Sequence, residues 1–220
     1  MKKIGNQKFM LIAMAIIFAL TTTTQASFAQ LSKKQEKQLQ KERDKEYKKK
    51  IKEYKDGNWK LSGSSRTIEV ALLEHYAKLD ENNKEFVGEV SQCNSINVCK
   101  QSALNNAQNR YAMLANGNVK GRISSLLRAD AEMPETEIDK FMALYENQVQ
   151  AEISGVFTES YSIVKDNGKT KEFKTFFILN EEKAGLARAR AMERSLKETK
   201  VTVKDADEIS KYVREGFSLQ

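Results

Sequence analysis

The sequence predicts an α+β protein: a small, mainly antiparallel sheet packed against long helices, with a basic helix at its N-terminal side. Three observations carry this. Phe157, Tyr161 and Ile163 alternate with Thr158, Ser160 and Ser162, and Phe173, Thr175, Phe177 and Leu179 alternate again after Asp166-Asn167-Gly168. Asn-Gly between two period-2 runs is a strong hairpin signal, because glycine and asparagine accept the positive φ of a tight turn. The stretch between about Lys100 and Ile153 instead repeats its apolar residues with helical spacing. The strands are too few, and too separated from the helices, for a doubly wound parallel sheet.

Residues 1–29 have the pattern of an export signal. Lys2, Lys3 and Lys8 precede an apolar run from Phe9 to Leu20, and Ser27-Phe28-Ala29 closes the segment. A dozen helical residues span about 18 Å, short of a ~30 Å hydrocarbon core, so the run is not a permanent anchor. The expectation is cleavage near Ala29, a periplasmic or secreted location, and no transmembrane span afterwards.

Residues 30–56 come next as a basic amphipathic helix, with no Gly or Pro before Gly57 and mostly Lys, Glu, Gln, Arg and Leu. Leu39, Tyr47, Ile51 and Tyr54 fall within an arc of about 120° on this helix. One reading lays these side chains on the body. The sharper one makes Leu39, Tyr47, Lys48, Lys49, Lys50, Ile51 and Tyr54 a contact surface for an acidic partner, anionic headgroups or a second copy, with a protein ranked above lipid because four large apolar residues are few for a membrane-surface helix. The domain proper then covers residues 57–220.

Gly57-Asn58 ends the helix, and Trp59 to Gly63 reads as a short strand. Ser64 or Ser65 can cap a helix over about 66–79, with Ile68, Leu72, His75 and Leu79 on its core side. Asn82-Asn83 turns into a strand from Glu85 to Ser91, running towards Cys93. From about Lys100, Ala103, Ala107, Tyr111 and Leu114 share a face that Val119, Ile123, Leu126 and Leu127 continue. Gly117 and Gly121 weaken this stretch by roughly 1 kcal/mol each relative to alanine, which favours one helix with a soft middle over two.

Pro134 suits the start of a partner helix with the stripe Ile138, Met142, Tyr145, Val149 and Ile153, forming an antiparallel hairpin with the first. After the β-hairpin, Asn180 can cap a helix that opens Glu181-Glu182 and carries Ala184, Ala187 and Ala191, small enough to lie close to the sheet. A last short helix is expected near 205–215.

Charge narrows the function classes. The chain has 37 basic and 30 acidic side chains, but three lysines sit in the signal. Residues 30–56 hold eleven basic and six acidic residues, and 57–220 hold 23 and 24. The basicity belongs to one helix, and no nucleic-acid groove is expected on a near-neutral body. Cys93 and Cys99 are the only cysteines, and an oxidising compartment favours a disulfide over a pair of buried thiols. Their spacing is neither CxxC nor a zinc framework.

His75 is the only histidine and lies on an apolar helix face. It reads as a packed imidazole bonded to a backbone group rather than a ligand or catalytic base. There is no G-x-S-x-G, P-loop or G-x-G-x-x-G pattern, and Asp205-Ala206-Asp207-Glu208 lacks the spacing of a calcium loop. No catalytic, cofactor-binding or metal residue is expected, and no cofactor.

The block from Ala103 to about Leu196 resembles the LPP20 and flagellar-assembly-lipoprotein group of bacterial envelope proteins. The matching residues are Ala103, Ala107, Tyr111, Leu114 and Ala115, the long helix to Ile153, Glu159-Ser160-Tyr161 in a strand, and the Ala-rich helix after Leu179. Trp59, Ser62-Gly63 and the helix bearing Leu72, Leu73 and Tyr76 are similar to secreted members that carry the same block. The resemblance implies a fold and an envelope location, and transfers no catalytic residue. This signal segment has no cysteine near its cleavage site to acylate. The expectation is an exported non-catalytic component of an envelope assembly; the alternative is a periplasmic ligand-binding module.

Overall fold

The computed structural model describes residues 33–131, 133–199, 209 and 212–214. The expected signal segment and most of the expected last helix lie outside the described residues, although Ile209 and Tyr212, Val213 and Arg214 are helical. The protein is α+β. Its order is α1 (Lys33–Asp56), β1 (Lys60–Leu61), α2 (Ile68–Tyr76), β2 (Asn83–Cys93), α3 (Ile96–Ala131), α4 (Glu135–Ile153), β3 (Phe157–Asp166), β4 (Lys171–Asn180) and α5 (Glu181–Thr199). No described helix is long and apolar enough to cross a membrane.

The four strands form one antiparallel sheet in the order β1-β3-β4-β2. The β3–β4 hairpin is where the alternation placed it. Its loop is longer than a two-residue Asn-Gly turn: Asp166 pairs with Lys171, and Asn167 N–H donates to Thr170 O at 2.9 Å. Gly168 supplies the positive φ (87°), and its N–H donates to Asp166 Oδ1 at 2.9 Å.

Alternation along the strands loads both faces of the sheet. Phe86, Phe177 and Leu179 enter the main core with α3, α4 and α5. Tyr161, Ile163 and Phe176 point the other way and meet Tyr54, Ala71 and Leu72 from α1 and α2. A third, smaller cluster joins Phe173 and Cys93 to Cys99 and Ala103.

The helix boundaries follow their caps. Thr67, not Ser64 or Ser65, caps α2, its Oγ1 accepting from Val70 N–H at 3.3 Å. Ser95 starts α3 before Lys100, its Oγ accepting from Val98 N–H at 3.4 Å. Asn180 caps α5 as expected, accepting from Lys183 N–H at 3.1 Å.

α3 runs unbroken through Gly117 and Gly121. Its buried positions Cys99, Ala103, Ala107, Tyr111, Ala115, Val119, Ile123 and Leu127 recur every fourth residue. Four residues advance about 400° at 3.6 per turn, so this stripe winds around the helix by roughly 40° per step. The winding lets α3 meet the sheet with its first half and α4 with its second. It also corrects one expectation: Leu114 is 41% exposed, and Ala115 takes the core position.

Ion pairs and hydrogen bonds show that α3 and α4 are antiparallel: Asn116 donates to Glu146 (2.6 Å), Lys120 pairs with Asp139 (3.1 Å) and Arg128 with Glu135. α5 returns along α4, with Glu152 taking both Arg190 and Arg194 at 2.7 Å and Gln148 bonded to Glu198. The alanine stripe of α5 is fully buried, yet it lies mainly against α4 and only slightly against β4. The expected close approach to the sheet is made instead by α3. A Cβ on Gly88 of β2 would stand 1.9 Å from Ala103 O.

Candidate functional site

The compact body begins at Tyr47, inside α1, rather than at residue 57. Along residues 33–46, Lys45 pairs with Glu42 at 2.8 Å and Gln40 with Asp44 at 3.1 Å. The side chain of Leu39 lies outside the described residues.

From Tyr47 onward the helix belongs to the body, which corrects the contact surface expected there. Tyr54 is 4% exposed, edge-on to Phe176 at 6.4 Å, with its hydroxyl 3.3 Å from that of Tyr161. Tyr47 and Ile51 pack beside it. Burial pushes the Tyr54 phenol up to about 12, so it stays protonated. Lys50 leans over the rings of Tyr76 and Phe176 and reaches Glu85 Oε1 at 3.5 Å. Of the six expected contact residues whose side chains are described, only Lys48 and Lys49 are fully on the solvent side.

Glu85 is the residue that sequence reasoning missed. It stands on β2, on the α2 side of the sheet, and joins α1 to α2. One carboxylate oxygen meets Lys50, and the other lies 2.6 Å from His75 Nε2. Burial raises the Glu85 pKa, but the hydrogen bond from His75 and the charge of Lys50 outweigh it, leaving the carboxyl below its ordinary value. His75 is fully buried among Tyr161, Phe176 and Tyr76. Its partner is thus a carboxylate and not the backbone group expected. With no surface for a substrate to reach, the imidazole works as a tie within the fold.

The outer face of this helical layer is different in kind. Val70 and Leu73, one helical turn apart on α2, are 42% and 55% exposed. Lys55 of α1 pairs with Glu69 of α2 beside them at 2.8 Å. This pair ties the exposed side of α2 to α1.

Past the end of α2 the sheet is uncovered, and an open cleft of about 500 Å³ lies there. Its floor is Ile178, Thr158 and Val156, with Ala77 and Lys78 on one side and Lys183 on another. A second, polar cleft of about 290 Å³ runs beside β1 and β3, lined by Ser62, Gly63, Arg66, Lys100 and Glu159 among others. The Ser62 to Ser65 segment is a strand-to-helix turn, with Gly63 at φ 71°.

A second buried charge lies in the main core. Arg188 of α5 is fully buried, bonded to the Tyr111 hydroxyl and donating to Val213 O and Arg214 O at 3.0 Å each. Glu181 Oε1 pairs with the guanidinium at 2.8 Å. Burial raises the Glu181 pKa against the pull of Arg188.

Cys93 and Cys99 have their sulfurs at disulfide-bonding distance with Cα atoms 5.4 Å apart, linking the end of β2 to the first turn of α3. No group of three or more His, Cys, Asp and Glu placed for a metal ion occurs among the described residues. No family model, curated protein or solved structure matches the chain.

Proposed function

We propose that this is an exported, non-catalytic accessory protein of a bacterial cell envelope, related to the LPP20-like group, whose task is to bind a protein partner. The observation that carries the reading is the outer face of the α1–α2 layer. Val70 and Leu73 are solvent-exposed on α2 and Lys48 and Lys49 on α1, the helix that Lys55 ties to Glu69 of α2, while the tyrosines and isoleucine of α1 are used inward. Exposed aliphatic side chains on a layer that includes a basic helix fit an acidic partner with an apolar centre. The basic n-region, apolar run and small-residue end of residues 1–29 support export, and a bridged Cys93–Cys99 pair suits an oxidising compartment.

A photo-crosslinking residue at Leu73, with a second at Met113 as a control, tests this in the source cells. Met113 is 63% exposed on α3, away from the basic helix. The expected result is a discrete adduct from position 73 that fades at high salt and in a Lys48→Glu, Lys49→Glu variant. Equal adducts from both positions, or none from 73, would refute it. The alternative reading, a periplasmic ligand-binding module, has the 500 Å³ cleft in its favour, although no aromatic ring lines it.

A further inference from the structure

We infer that the open part of the β3 edge is a docking site for an extended, acidic segment of another polypeptide, which adds to the sheet in line with β1. This surface is separate from the α1–α2 face and goes beyond the reading above.

The edge is open because β1 is short. β1 pairs only Lys60 and Leu61 with Val164 and Ile163, and Ser62 N–H adds one bond to Ser162 O at 2.9 Å. Gly63, at φ 71°, then turns the chain away from the sheet. β3 continues to Phe157, so residues 157–161 have β4 on one side and, among the described residues, no strand on the other. That stretch is roughly 13 Å long at 3.3 Å per residue. Unpaired main-chain groups along such an edge are a template for an incoming strand.

The other sheet edge differs. On β2, Asn83 O accepts from Asp80 N–H and Glu89 O from the Asn106 side chain, so neighbouring groups already occupy part of it.

An added strand would place alternate side chains on opposite faces of the sheet, and a cleft waits on each. Thr158 pairs across to Ile178 on the face of the larger cleft. Glu159 lies opposite Phe177, on the α3 face, and borders the smaller cleft with Lys100. The clefts share Glu159 and together follow the free edge.

Charge selects the occupant. Lys78 and Lys183 line the larger cleft, and Arg66 and Lys100 the smaller, against Asp80 and Glu159. Lys100 pairs with Glu159 and Arg66 with Glu74, which leaves Lys78 and Lys183 against Asp80. The lining is therefore net cationic by one charge, which attracts acidic side chains.

The test uses three probes on the protein: a capped nine-residue peptide alternating Asp or Glu with Val and Thr, the same peptide with Lys for each acid, and octanoate. Amide exchange at residues 157–161 and titration by NMR are the readouts. The acidic peptide should protect the β3 amides, and Lys78→Glu with Lys183→Glu should weaken it by about tenfold or more at low salt. Binding by octanoate alone would overturn the proposal in favour of a small-molecule cleft. So would equal binding of the basic peptide, binding without β3 protection, or no binding at all. Both substitutions are of exposed residues, and unchanged exchange at β4 reports that the variant is folded.

Discussion

Replacing Gly88 with alanine is the sharpest test of how the sheet and α3 meet. The new Cβ would lie 1.9 Å from Ala103 O and 2.7 Å from Ala103 C, whereas ordinary contact begins at 3.4 Å. Relief therefore needs a separation of about 1.5 Å, the difference between 3.4 and 1.9 Å. The obstacle is main chain, so no rotamer change supplies it, and moving α3 away opens the packing of Cys99, Ala103 and Ala107, all fully buried. Overpacking of this kind costs about 1–3 kcal/mol, and the backbone clash argues for the upper end. The stiffer unfolded chain returns about 0.4–1 kcal/mol. The net loss is about 2–2.6 kcal/mol, or a melting temperature lower by roughly 4–10 °C in a chain of this size.

Gly117 and Gly121 are the matched controls, since a Cβ on either meets nothing within 4 Å. Alanine at each should raise stability by about 1 kcal/mol, the helix-propensity difference. Urea unfolding followed by Trp59 fluorescence and far-UV circular dichroism measures all three. If Gly88→Ala matches the parent or gains stability as the controls do, the close approach of β2 to α3 is wrong.

Three further outcomes follow from the same contacts. Removing the chain up to Glu46 should leave the thermal transition nearly unchanged, whereas removal through Asp56 deletes buried Tyr54 and should cost about 3–5 kcal/mol; coincident melts of the two truncations would refute this. Glu85 has a folded pKa below its unfolded one, so its stabilisation is present above the ordinary glutamate range and disappears as pH falls through the lowered value. Glu85→Gln should therefore flatten the acid branch of stability against pH between the two values, and an unaltered branch counts against the His75–Glu85–Lys50 tie. Replacing Cys93 and Cys99 together with serine should lose about 2 kcal/mol, as expected for so short a loop, and alkylation without reductant should label neither cysteine in the parent.

Much of the fold was legible because it rests on periodicity. The alternation around Asp166-Asn167-Gly168 located the hairpin, and the stripe from Ile138 to Ile153 located α4. Leu114 was misplaced because a fixed helical face was assumed for a stripe that winds, and the smaller Ala115 is the buried residue. The α1 stripe was visible, but a stripe alone does not tell whether it meets the protein's own body or another; the answer lay in Leu72, Tyr161 and Phe176, far away in sequence. Glu85 and Arg188 were missed although each left a trace. Glu85 shares its strand face with Val87, and Arg188 stands four residues after Ala184 in the alanine stripe. A charge in an inward-facing pattern signals a buried partner, but the partners, His75 and the carbonyls of Val213 and Arg214, come only with the tertiary structure.

The Arg188 bonds also bear on which changes the core tolerates. The guanidinium is buried in the main core, and two of its acceptors are the main-chain oxygens of Val213 and Arg214. Without that segment Arg188 lacks both carbonyls and the core lacks Ile209 and Val213. A buried cation without its acceptors is strongly disfavoured, so the main core closes only with this segment in place. Because Arg188 holds carbonyls, substitution at Val213 or Arg214 leaves these bonds available, whereas a stop codon before them removes the bonds altogether.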